Sequence, residues 1–490
     1  MKIAKYIILL LPVAAMLSGC TLERVSYEEI YKENLYRNDS DVQKSVTGLY
    51  ELFTTGWGKF YCADQWGYVI CTDMTTGQLT SKWQNQGYQA FYEHRWSETG
   101  SDLATQFSQK IYPQYKELTR IKNTIDDIAA ADITPAVKVQ AIAEAKCLYG
   151  WIGYIMYDLF GPVPLATDEA RKNPTAYIYI PRLSDEEYTA EMISMLDDAI
   201  EDLPWRNESW GHVTKGMALM LKLKFLMMNH DFEAAEPVAR QLYEQEGNVY
   251  ALLPDYASVF TKSNARNNEI IHAIPAGESN PNYWITQTTW GDVPGYEGEN
   301  WATFLMQWSF YDSFEENDQR KNTIVAEYTS TTTGAVVKRG AGNLQYGCCP
   351  IKIGQDPDRI GSRGTTDVIV FRYADVLLSL AECINENNSG PTQEAISLVN
   401  RIRNRVGLAD LTSDKTANKV SFNTAILNER LHEFYCEGLS RSDKIRHGTF
   451  VSDSQTQYKD SQSDWYKVRF PIPSSYINES KGIVKQNDGY

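Results

Sequence analysis

Eight of the twelve tryptophans fall in two stretches of the chain: Trp57, Trp66, Trp83 and Trp96 within 54–100, and Trp284, Trp290, Trp301 and Trp308 within 245–370. Tyr88, Tyr283 and Tyr296 lie among them. An indole is a flat apolar plate with one N–H donor at its edge, and a tyrosine ring carries a hydroxyl. Such groups hold a ligand by stacking and edge hydrogen bonds; they do not make or break bonds. Residues that do so are missing in the spacings their chemistry needs. The sequence has no HExxH, GxSxG or GxxxxGKS/T, and Gly56-Trp57-Gly58 lacks the third glycine and preceding apolar strand of a dinucleotide site. The six histidines, at 94, 212, 230, 272, 432 and 447, show no ligand spacing for a metal. Adjacent carboxylates at Asp126-Asp127, Glu186-Glu187 and Asp197-Asp198 point about 100° apart on a helix, so they cannot face each other across a cleft as glycoside hydrolysis requires. The pattern is that of a binder, with no catalytic residue, metal or cofactor expected.

The two aromatic stretches are rich in Gly, Asn, Thr, Ser and Pro and lack a sustained 3.6 period, so loops and hairpins are expected there. Helical periodicity governs the rest. In 137–160, Ala145, Leu148, Ile152, Ile155 and Leu159 form a stripe that Gly161-Pro162 ends. Similar stripes run through Met217, Met220/Leu221, Lys224 and Met227/Met228, and through Val376/Leu377, Leu380/Ala381 and Ile384. Two more are Ala395, Leu398/Val399 and Ile402, with Thr392 as N-cap and Gly407 as stop, and Leu427, Leu431 and Phe434/Tyr435. Consecutive helices of this length predict a mainly α fold: a tetratricopeptide-like, right-handed stack of antiparallel helices with a loop-rich, aromatic-rich insertion. About half of the rings should pack loops onto helices. Trp308, in the apolar run of Phe304, Leu305 and Phe310, is the clearest case. The rings expected to face a ligand are Trp83, Tyr88, Trp96, Tyr283, Trp284, Trp290, Tyr296 and Trp301, because loops on a rigid scaffold carry binding residues.

A chain of 490 residues, 43% hydrophobic and 22% charged, is ordinary globular material for two or three domains. A net charge of -16 argues against a nucleic-acid partner, which needs clustered Lys and Arg. Lys2 and Lys5, the apolar Tyr6–Leu17 and then Leu17-Ser18-Gly19-Cys20 read as a secretory signal, too short for a comfortable membrane span. Leu-Ser-Gly-Cys also resembles the lipobox of bacterial lipoproteins, which makes 1–19 a cleaved leader and Cys20 a lipidated first residue. Losing Lys2 and Lys5 takes the charge from -16 to -18. Acyl chains insert at ~0.8 kcal/mol per buried CH₂, and two or more anchor stably in a membrane. The remainder divides into an N-terminal region 20–244, holding the aromatic stretch 54–100, and a C-terminal region 245–490, holding 245–370. Seven further cysteines, an odd number without a CxxC, rule out a disulfide framework and a zinc ribbon. Cys147, Cys383 and Cys436 lie in helical patterns as buried thiols, and a Cys62–Cys71 bridge is left open.

From Phe371 to Leu378 the chain reads FRYADVLL, followed by Ala381-Glu382; Asn400–Arg405 reads NRIRNR. Glu429-Arg430, Glu433-Phe434, Glu437-Gly438, Asp443 and Arg446 come next, then Pro471-Ile472-Pro473 and Gln486-Asn487-Asp488-Gly489-Tyr490. Upstream stand Gly48-Leu49-Tyr50 and Tyr157–Pro164, YDLFGPVP. In this order, behind a lipobox, the motifs resemble those of the SusD/RagB surface lipoproteins of Bacteroidetes-type bacteria. Ser440 departs from the pattern where an Arg is usual, and Arg441 follows it. The resemblance implies a SusD-like fold and an outer-membrane, cell-surface, lipid-anchored protein. It further implies a non-catalytic role in capturing oligosaccharide for a SusC-like TonB-dependent transporter. The alternative is a transporter lid for another cargo, such as peptides. Read from the residues alone, the motifs are scaffold: the charges of Glu429–Arg446 recur at i, i+3 and i+4, predicting the pairs Arg430/Glu433, Glu437/Arg441 and Asp443/Arg446.

Overall fold

In the computed structural model, which describes residues 36–490 apart from 85, 86, 174, 177, 354 and 355, several helices start at a short polar side chain that caps them, among them Asn38, Asp102, Thr214 and Asn418. Cys20 and the leader lie outside the described residues. Among those described, the helices of seven or more residues are α1 (Asp39–Leu49), α2 (Tyr68–Thr75), α3 (Leu103–Ile111), α4 (Lys116–Ala130), α5 (Pro135–Phe160), α6 (Asp185–Asp202), α7 (Lys215–Met228), α8 (Phe232–Tyr243), α9 (Tyr373–Asn387), α10 (Gln393–Arg405), α11 (Lys419–Glu433), α12 (Ser440–Arg446) and α13 (Phe450–Gln457). Ser184 and Glu187 form a capping box on α6, and Thr392 caps α10 as the sequence predicts. Gly407, at φ 79°, ends that helix in the left-handed conformation glycine tolerates.

Helices α4 to α8 pack in sequence order, each on the next; α8 then packs on α9, which α10 and α11 flank. The stack centres on α5, whose residues from Ala143 to Phe160 are buried nearly all round rather than along one stripe. Its contact with α6 needs small residues: a Cβ on Gly153 would sit 2.2 Å from the Met192 sulfur, and one on Gly150 2.6 Å from Leu196. The fold is therefore mainly α, as the periodicity predicts.

Among the described residues, eight short strands pair into four antiparallel ladders: β1 (Leu79–Ser81) with β3 (Phe304–Met306), β2 (Ile270–Ile274) with β8 (Val368–Arg372), β4 (Ile324–Val325) with β7 (Cys349–Pro350), and β5 (Glu327–Thr329) with β6 (Val336–Lys338). The stretch 54–100 is not all loop. It contains α2, where the run YVICTDMT is buried on every side and so shows no amphipathic period. The seven cysteines described are free and buried, so Cys62 and Cys71 form no bridge.

Most of the C-terminal motif charges meet in the core. Arg372 reaches Glu269 at 2.9 Å and Glu437 at 2.9 Å, and donates to the Glu433 carbonyl at 2.8 Å. Arg320 pairs with Asp318 and Glu429, both at 2.7 Å, and Arg405 joins Glu269 and Glu433. A second chain runs Lys224–Asp375–Arg430–Asp443–Arg446–Glu382, with Lys224 2.6 Å from Asp375 and Arg430 2.9 Å from Asp443. The expected helix-local pairing is corrected here. Asp443/Arg446 forms, but Arg430 turns to Asp375 and Asp443, Glu437 to Arg372 and Lys352, and Arg441 to Asp158. Buried charges require partners on every side, and neighbouring elements supply more of them than one helix face can. Burial alone would raise the carboxyls of Asp375 and Glu433. The surrounding cations instead hold both well below the usual carboxylate range: Lys224 and Arg430 for Asp375, and Arg405, Arg372 and Arg320 for Glu433.

Candidate functional site

Two connections bring the aromatic stretches together. The first is the β1–β3 ladder, pairing Leu79 with Met306 and Ser81 with Phe304, and extended by the Lys82 amide donating to the Thr303 carbonyl at 3.2 Å. It sets Lys82-Trp83 beside Trp301-Ala302. The second is Asn280, whose side-chain oxygen accepts from the amides of Thr55 (3.0 Å) and Gly56 (2.8 Å). That tether holds the Gly56-Trp57-Gly58 turn, with Gly58 at φ 72°, against the segment leading to Tyr283.

The rings meet at this seam. Trp57 stands edge-on to Tyr283 at 5.5 Å and to Trp301 at 5.7 Å, while Tyr283 and Trp301 lie nearly parallel with centroids 6.4 Å apart. Trp290 bridges to Trp301 through the backbone. The Lys82 ammonium donates to the Trp301 carbonyl and sits 4.3 Å from the Trp290 ring centre and 4.7 Å from that of Trp83. Partial burial lowers the Lys82 pKa. Trp57 and Trp83 are 51% and 45% exposed, and Tyr283, Trp290 and Trp301 are half-buried. On its other side Trp57 borders a cleft of about 420 Å³ shared with Trp66, Lys59, Lys110, Gln114 and Arg120. The Lys110 ammonium lies 4.9 Å from the Trp66 ring centre.

Trp83, Tyr283, Trp290 and Trp301 are therefore in one continuous surface. Half-buried Tyr296 packs on the same small apolar group as Trp290, built from Val293, Ala302 and Leu305. Burial pushes its hydroxyl up to about 12. Three expected ligand-facing rings are corrected. Trp96 is 0% exposed, lying 4.4 Å from Phe470 and donating to the Tyr490 hydroxyl at 2.7 Å. Trp284 is 3% exposed within the main core, and Tyr88 is buried edge-on to Phe304 at 5.7 Å. Trp96 and Tyr88 lie outside helices and strands and Trp284 opens the short helix Trp284–Thr288, but each is closed over within the fold and leaves no open face. Trp308 packs as expected, donating from its indole to the Leu344 carbonyl at 3.1 Å.

The sequence reading missed Trp57, Trp66, Lys82 and Lys110. Trp57 had a legible signal, since a bulky ring between two glycines sits in a tight turn that offers little to bury it. The lysines had none beyond Lys82 standing next to Trp83. The surface presents flat apolar faces, indole N–H groups and ammonium donors. Among the described residues no group of His, Cys, Asp or Glu is arranged to hold a metal, and no helix is long and apolar enough to cross a membrane.

Residues 345–490 match the model of the SusD family. SusD-like protein P25 of Formosa agariphila is 23% identical over 94% of this chain and 94% of its own length. A SusD superfamily protein from Parabacteroides distasonis superposes with a TM-score of 0.77 at 19% identity, covering 94% of this chain and all of that one (100%). Surface glycan-binding protein A from Bacteroides thetaiotaomicron, solved in complex with laminarihexaose, superposes at 0.71 with 19% identity, over 92% of this chain and 99% of that one. The C-terminal part of the chain thus matches the SusD family, and along most of its length the chain is similar to SusD-like proteins and shares the fold of SusD superfamily structures.

Proposed function

We propose that this protein is a non-catalytic, lipid-anchored binder of oligosaccharides at the outer-membrane surface, handing its cargo to a SusC-like TonB-dependent transporter. One observation carries the reading: rings from two distant stretches, Trp57 on one side and Tyr283 and Trp301 on the other, form a single partly open shelf. A pyranose has an apolar C–H face that fits such plates and hydroxyls that suit indole and ammonium donors at their edges. Covering ~50–100 Å² per sugar is worth on the order of 1–3 kcal/mol at ~25 cal/mol/Å². Two or three platforms, less the cost of ordering a flexible chain, give a dissociation constant in the roughly micromolar to millimolar range, weak enough for release. The laminarihexaose bound by a protein of the same fold supports the ligand class, and the family supports the partner.

Calorimetry with a panel of oligosaccharides on the parent, Trp57→Ala, Trp301→Ala and Trp96→Ala tests the shelf. Loss of affinity in the first two variants but not in folded Trp96→Ala is expected; parental binding by both shelf variants would sink the assignment. Co-purification with a large barrel protein from outer membranes tests the partner. Release of a Cys20→Ala variant from the membrane fraction tests the anchor.

A further inference from the structure

Two ammonium groups, Lys82 on the shelf and Lys110 in the cleft on the other side of Trp57, meet rings rather than acids. Lys82 touches the faces of Trp83 and Trp290 and the Trp301 carbonyl; Lys110 lies over Trp66 in the cleft that Trp57 shares. Among the described residues neither forms an ion pair with a carboxylate. Their neighbours do: in the same cleft Lys59 pairs with Glu51 at 2.9 Å, and Arg120 with Glu117. Asp64, the acid whose field Lys110 feels, directs its two oxygens to the amides of Gly58 (3.1 Å) and Trp66 (2.8 Å). Two unneutralised cations, spaced along an aromatic surface in a chain of net charge -16, form a local exception to the protein's repulsion of anions.

We propose that the shelf selects acidic oligosaccharides, whose pyranose faces stack on the indoles while a carboxylate or sulfate group meets Lys82 or Lys110. The proposal rests on the reading of this surface as a glycan site. A charged acceptor strengthens an ammonium hydrogen bond beyond what a sugar hydroxyl gives, and the excess is screened by salt.

Titration calorimetry on the parent protein, with neutral, uronate-bearing and sulfated oligosaccharides at low and high sodium chloride, tests it. At low salt at least one acidic class should bind about tenfold more tightly than the neutral sugars, and the advantage should shrink as salt rises. Lys82→Met and Lys110→Met keep the apolar stems and remove the charges; together they should abolish the preference, weakening acidic sugars about tenfold more than neutral ones. A response to uronate alone or to sulfate alone supports the proposal and identifies the group. Equal or tighter binding of neutral sugars, or a preference that survives in the double variant, overturns it and leaves the glycan site standing. Binding of no sugar at all overturns both.

Discussion

In the core beneath β8, three arginines, Arg320, Arg372 and Arg405, share Glu269, Glu429, Glu433 and Glu437, so that each buried cation lies against carboxylates. On the aromatic shelf and in the cleft beside it, Lys82 and Lys110 lie against indoles. The same chain thus treats positive charge in two ways. Where water is excluded, a guanidinium is neutralised by acids fixed within the fold. On the shelf and beside it, an ammonium is left with polarisable rings instead. Under the proposed function, the distinction separates residues that hold the structure together from those that serve a ligand, and charge or aromaticity alone does not make it.

Acid should break the core side of this comparison most severely. The carboxyls of Asp375, Glu433 and Glu382 are depressed in the folded state, so the folded protein binds fewer protons than the unfolded chain once the pH falls through their unfolded values. Their stabilisation is complete above about pH 4.5 and is lost progressively below it, at about 1.4 kcal/mol for each unit of depression. Denaturant unfolding between pH 7 and 3 should show this fall, and a flat profile would contradict the ion-pair account. Next in size, Glu433→Gln leaves Arg372, Arg405 and Arg320 short of an acid; a loss of about 3–5 kcal/mol is expected in urea titration. Trp96→Ala, read by the same measurement, should lower stability by about 3 kcal/mol through the cavity it opens. Sugar affinity of the molecules that remain folded should be unchanged. Smallest in energy is Trp57→Ala, expected to weaken ligand binding by about tenfold, or 1–2 kcal/mol, while shifting stability by less than about 0.5 kcal/mol. A variant set in which Trp96 governs binding and Trp57 governs stability would reverse the assignment of the two regions.

The helical stack was legible because its stripes repeat locally: Thr392 capping α10 and Gly407 ending it are visible within a few residues. The aromatic stretches were legible as a group and not ring by ring. Trp96 is sealed by Phe470 and Tyr490, which come from the far end of the chain. Gln486 bonds the Ile472 backbone, and Asn487 donates to the carbonyls of Phe160 and Phe470, locking that end down. No spacing near position 96 encodes such closure. The ion network taught the same lesson in reverse. The i, i+3 pattern of Asp443/Arg446 was readable on one helix, whereas Asp158 for Arg441 and Glu269 for Arg372 required the tertiary arrangement.

The three-residue ladder joining β1 to β3 has a mechanical consequence. It is a short seam between segments far apart in the chain, and the rings lie across it. A molecule seated on those rings would act as a stitch through both edges, and mass action then adds its binding energy to the cohesion of the seam. Occupied protein should therefore resist protease nicking in both segments at once, while the empty form yields at either.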